Sequence, residues 1–273
     1  MIARTLARRF VLCTTDRAVF DGIRYLECDP EIDDKQTDDR GLCIEPFRGR
    51  YRIVDNHKGM QEVLDVKSVV DRLHKKLFLY SIEDRPEAGL LHAAALRRGS
   101  RRILLVGSES VGKTSLALRL VQSGFDLEGD EHVFVEEDGV IARPRCCRVK
   151  ETSLALLPAL AATIAAAPVY VDDYGRRTFN VDPRLIGGAW RIAKGPVDAV
   201  ILLQPNHGGY SSLRPIPPLA VAQAMMSEFG LRDTGRNASI GAVARLVSSA
   251  KAYDLSLGDH DTAVKCIDRA LDA

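Results

Sequence analysis

Residues 102–121 read RILLVGSESVGKTSLALRLV, and this stretch decides the fold. The apolar run at 102–107 predicts a buried strand. Gly107-Ser108-Glu109-Ser110-Val111-Gly112-Lys113-Thr114 then completes the GxxxxGK[ST] pattern of a phosphate-binding loop. The following LALRLVQSG (116–124) predicts a helix closed by Gly124. A strand before the pattern and a helix after it form the context in which the pattern is specific. Its glycines let the backbone wrap tightly, so that successive N–H groups point at one spot. The helix N-terminus adds partial positive charge there. In such a loop Lys113 reaches the outer phosphates of a nucleotide, and the Thr114 hydroxyl ligates Mg²⁺. The nucleotide-binding candidates are therefore Gly107, Ser108, Glu109, Ser110, Val111, Gly112, Lys113, Thr114 and Ser115.

Working outward, FDLEGD (125–130) predicts a short strand that carries the chain back to the loop's end of the sheet. It delivers Asp130 and Glu131 to that end. An aspartate there orients or deprotonates an attacking hydroxyl, or holds Mg²⁺; the alternative is a solvated Gly-Asp-Glu turn. Upstream, LLHAAAL (90–96) predicts a buried strand joined to the loop strand through RRGSRR (97–102). His92 on that strand comes close to the phosphate site or else serves the core. Downstream, RPRCCRVKE (143–151) is a local basic segment. Its Arg143, Arg145, Arg148 and Lys150 hold phosphate or an acidic partner, or form a solvated edge.

The remaining chain alternates strands and helices. Strands are expected at 9–13, 23–28 and 51–55, around an acidic loop at 29–40. An amphipathic helix is expected at 60–80, and a hairpin within 132–144 turning at Asp138-Gly139. An Ala-rich helix at 153–166 and a strand buried on both faces at 196–205 follow. Helices at 217–230 and 240–250, a strand at 252–257 and a helix at 261–271 close the chain. The pattern is α/β, with a mixed, hairpin-containing sheet. It divides into a small β-rich portion, 1–57, packed on a P-loop domain, 58–273.

Lys and Arg total 38 against 37 Asp and Glu, a net charge of +1, which argues against a nucleic-acid-coating protein. No run of ~18 apolar residues predicts a membrane span. The six cysteines form no CxxC pair, and MIARTLARRF reads as an ordinary basic N-terminus. Reduced thiols in a cytoplasmic protein are the expectation.

His92 with the three alanines after it, the loop GSESVGKTSLAL and the segment SGFDLEGDEHVFV (123–135) together resemble the catalytic domain of the bacterial HPr kinase/phosphorylase family. The resemblance covers about residues 88–145. It implies a fold of phosphoenolpyruvate-carboxykinase/HPr-kinase type and phosphoryl transfer from ATP, with Mg²⁺, to a serine hydroxyl. Carried over, Lys113 binds the γ-phosphate, Thr114 binds Mg²⁺, Asp130 is the general base, Glu131 matches the second acidic residue and His92 the strand histidine. Glu151 stands at a distance from the loop similar to that of a family metal-site glutamate, but without its Glu-Ile-Arg-Gly-Leu-Gly neighbours. Gly-Asp-Glu replaces Ala-Asp-Asp, and the family's C-terminal Arg-rich recognition region has no match.

The expectation is thus a Mg²⁺-requiring kinase acting on a hydroxyl, with Asp130, Lys113 and His92 catalytic and Thr114, Glu131 and Glu151 at the metal. A peptide or protein is the expected phosphoacceptor; nucleic acid and membrane are not expected partners, and the resemblance suggests a homo-oligomer. The alternatives are an ATPase or switch without an acceptor, a kinase of free serine, or a non-catalytic module that keeps the fold.

Overall fold

The computed structural model describes residues 1–33, 38–172, 174–229 and 236–272, with the backbone alone for 236–239. Its centre is a six-stranded mixed sheet. In spatial order the strands are Asp126–Gly129, Ala93–Arg98, Arg101–Val106, Ala199–Pro205, Lys251–Leu257 and Ser212–Pro215. The third, fourth and fifth run parallel, and the remaining pairings on both sides are antiparallel. Ile103, Leu104, Leu105 and Val106 are all fully buried because the strand alternates between two covered faces. Ile103 and Leu105 pack on one side against Leu116 and Leu120 of the helix Lys113–Gln122 and Ile267 of the helix His260–Asp272. Leu104 and Val106 face Val221 and Met225 of the helix Pro218–Ser227, with Val243 and Leu246 of the helix Arg236–Ser249.

Covering that second face are the strands Gly89–Leu91, Val133–Glu136 and Gly139–Ala142. The last two form the expected hairpin. An N-terminal layer holds a separate core. Its five strands are Ile2–Arg4, Arg8–Thr14, Asp38–Phe47, Arg50–Asp55 and Gly59–Val63. The helices Arg17–Ile23 and Val66–Glu83 bury Val19, Ile23, Val69 and Leu73 with Phe10, Leu42 and Ile44 of this sheet. The layer therefore runs past residue 57, because its fifth strand and long helix share its core.

Several elements differ from the sequence expectations. Residues 23–28 do not form a strand: Asp16 caps the helix Arg17–Ile23 by accepting from the Val19 N–H at 3.1 Å, and the turn Arg24–Leu26 follows. The helix expected at 60–80 begins only at Val66, where Asp65 accepts from the Ser68 N–H at 2.8 Å. Residues 59–63 instead pair with Arg50–Asp55. In the acidic stretch 29–40, Glu31–Ile32 pairs with Arg191–Ile192 and Asp38 opens a strand; residues 34–37 lie outside the described residues. The Ala-rich 153–166 breaks into the 3₁₀ turns Glu151–Leu156 and Pro158–Leu160 and the short helix Ala161–Ala165, since Pro158 has no N–H to continue a helix. Helix 217–230 ends at Ser227, its expected last residue lying outside the described ones, and the next helix starts at Arg236 rather than 240. Finally, 90–96 is two strands, one in each sheet, with the break at His92. Among the described residues no helix is long and apolar enough to cross a membrane.

Candidate functional site

Strand direction brings three distant residues to one end of the central sheet. Ala93 pairs with Val106, so His92, just before the one, lies beside Gly107, just after the other. The strand Asp126–Gly129 runs antiparallel to Ala93–Arg98 and therefore ends at the same edge, where it delivers Asp130. His92 and Asp130 line a cleft of about 900 Å³.

The loop 107–112 joins strand to helix as the sequence predicts. Gly112 has φ +108, and a Cβ there would meet Leu257 Cδ2 at 3.0 Å. A Cβ on Gly107 would stand 3.1 Å from the Leu203 carbonyl oxygen. The helix Lys113–Gln122 has no side-chain cap at Gly112, so its first-turn N–H groups are left for an anion. Lys113 is buried, and its Nζ donates to the carbonyls of Gly107 at 2.5 Å and Ser108 at 3.0 Å. Burial lowers its pKa, against the pull of Glu228 and Asp130.

Asp130 is 3% exposed and accepts from Thr114 Oγ1 at 2.8 Å. Burial raises its pKa, while the Thr114 hydrogen bond and the charges of Arg145 and Lys113 oppose the shift. The Thr114 hydroxyl takes one lone pair of Oδ2, and a carboxylate has further acceptor sites on both oxygens, so Asp130 can accept a proton while that bond stands. Thr114 and Asp130 together offer two hard oxygen ligands at the mouth of the loop.

The other candidates divide. Glu131, at φ +84, is ion-paired with Arg145 and lies 4.0 Å from Arg148. Glu151 pairs with Arg177 at 2.8 Å. Both line the cleft, yet each carboxylate is held by an arginine, and no cluster of three metal-binding side chains occurs among the described residues. Arg148 and Lys150 line the cleft too, and Lys150 Nζ donates to Ser110 Oγ at 2.7 Å. Arg143 does not: it is buried, donates to Ser81 Oγ at 3.2 Å and lies over the Phe78 ring. Arg145 does not line the cleft either, but it pairs with Glu131, which does. The period of the strand Cys147–Lys150 explains part of this split, since Cys147 and Val149 enter the core while Arg148 and Lys150 face the cleft.

Sequence reasoning missed Glu228, His132, Asp172, Arg176 and Arg177. The last three sit on the far wall, and Asp172 accepts from Arg176 Nε at 2.5 Å around the turn that ends in the strand Arg177–Val181. Its Asp-Tyr-Gly run, 173–175, was the only available cue. Glu228 Oε2 lies 3.2 Å from His92 Nδ1 across 136 residues, a separation that leaves no local pattern.

No protein-family model and no curated protein matches this chain. A solved structure described as the Hpr(Ser) kinase/phosphatase from Coxiella burnetii is similar to it at TM-score 0.33 and 12% identity, over 67% of this chain and 90% of that one. So distant a likeness assigns no residue roles here.

Proposed function

We propose that the chain is a phosphotransferase that binds ATP in this cleft and passes its γ-phosphoryl group to a hydroxyl, that of a serine in a peptide or protein. The observation that carries the reading is the convergence of an uncapped, glycine-bounded loop, the buried Lys113 and the Thr114–Asp130 pair at one sheet end. The first-turn N–H groups and Lys113 would cradle the triphosphate, Lys113 exchanging its two loop carbonyls for phosphate oxygens. Thr114 would hold Mg²⁺, which when bound would supply positive charge to offset that of the triphosphate. Asp130 would orient the acceptor hydroxyl and take its hydrogen. Catalysis of this type is mostly positioning and charge neutralisation.

Glu131 and Glu151, already neutralised by arginines, would shape the acceptor side rather than ligate the metal. Incubating the protein with γ-labelled ATP, Mg²⁺ and a serine-peptide library tests the proposal. Label on peptide is the expected result. Label released only as inorganic phosphate would replace it with the ATPase reading, and label on free serine with the metabolite-kinase reading.

A further inference from the structure

His92 sits where the chain leaves one sheet for another, and the segment around Glu228 fixes it from three sides. The His92 N–H donates to the Glu228 carbonyl at 2.9 Å, Leu91 bridges to Phe229, and His92 Nδ1 lies 3.2 Å from Glu228 Oε2. We infer that Glu228 is a positioning residue for His92: it holds the ring as the Nδ1–H tautomer and leaves Nε2 as a bare acceptor at the cleft wall. The tautomer stands on geometry alone; its use in catalysis rests on the phosphotransferase reading.

An ionised carboxylate can only accept, so a hydrogen bond at this distance places the hydrogen on Nδ1. A neutral imidazole then has no hydrogen on Nε2. Burial, followed by the nearby Lys113, pushes the His92 pKa down, whereas Glu228 and Asp130 pull it up. Glu109 and the His132 ring, whose centroid is 6.4 Å away, complete the groups that face it. The ring is therefore neutral at neutral pH, and Nε2 offers a lone pair in the same cleft as Asp130. An incoming hydroxyl has a single hydrogen, so Nε2 and Asp130 are alternative acceptors for it: Nε2 can hold the O–H on arrival, and Asp130 takes the proton as the hydroxyl turns to the phosphate.

Long-range ¹H–¹⁵N NMR of the full chain, labelled at histidine nitrogens, reads the tautomer directly. Measured beside it would be the pH profile of kcat and the affinity for ATP. Wild type is expected to show the Nδ1–H form. Glu228→Gln keeps an acceptor oxygen and should keep that form; without the carboxylate charge, the acid limb of kcat should move to lower pH. Glu228→Ala should mix in the Nε2–H form and lower kcat about tenfold with ATP affinity unchanged. An Nε2–H ring in wild type, or an unchanged ring in Glu228→Ala, overturns the inference. If the tautomer responds as expected but no transfer is seen with any acceptor, the phosphotransferase reading fails and the positioning role stands.

Discussion

Asp130 and Lys113 carry opposite halves of the proposed chemistry, and their substitution should separate binding from transfer. Asp130→Asn keeps the size and the hydrogen bond to Thr114 but removes the negative charge. Transfer should fall by about 10²-fold or more, the usual size of a general-base contribution, while ATP analogue binding persists. Lys113→Ala removes the cation that faces the triphosphate and should abolish both. Isothermal titration with a non-hydrolysable analogue, beside the label-transfer assay, distinguishes the two patterns. Full turnover by Asp130→Asn would remove the base assignment, and undiminished binding by Lys113→Ala would remove the loop assignment. Both residues were legible in the sequence, because loop, helix and returning strand are consecutive and their spacing fixes where Asp130 arrives. Glu228 was not, because its partner lies 136 residues away and only the folded sheet brings them together.

At the scale of elements, the loop depends on one left-handed position. An alanine at Gly112 would have to adopt φ +108 with its Cβ 3.0 Å from Leu257 Cδ2. Gly112→Ala should therefore cost about 1–2 kcal/mol in urea denaturation and weaken ATP binding as the loop tilts to relieve the contact. Gly124→Ala is a useful control: it has the same positive φ sign but nothing within 4 Å, and it lies at the far end of the helix. It should lose stability without losing affinity. Equal affinity losses in the two variants would mean that the loop conformation is not what binds. The central strands and the loop helix were readable because apolar periodicity and the glycine pattern agree. The break at His92 was not readable, because LLHAAAL is apolar on both sides of the histidine and only pairing with two different sheets divides it. Residues 60–63 failed for a related reason: Met60, Glu62 and Val63 suit a helix face as well as the edge strand they form.

For the whole molecule, the basic segment that the sequence offers as a phosphate site is partly a seam between layers. Arg143 reaches Ser81 and Phe78 of the N-terminal helix, and its Nη1 lies 3.4 Å from His132 Nδ1 beside the cleft. Burial, then Arg143, pushes His132 from 6.5 down to about 3. Burial, then Arg145, does the same to His74, which bonds the Tyr25 hydroxyl at 3.1 Å. Both histidines are thus neutral when folded but protonated below pH 6.5 when unfolded. Between pH 6.5 and about 3 the unfolded chain binds more protons, so stability falls as pH falls, by up to about 1.4 kcal/mol per pH unit for each ring. Arg143→Met keeps an apolar stem against Phe78 and removes the repelling cation. His132 should then titrate closer to its ordinary value, and urea denaturation between pH 5 and about 3 should show a shallower loss than in wild type. ATP affinity should stay within about twofold, since Arg143 does not line the cleft. A tenfold loss of affinity at unchanged stability would restore Arg143 to the phosphate site and make the seam incidental.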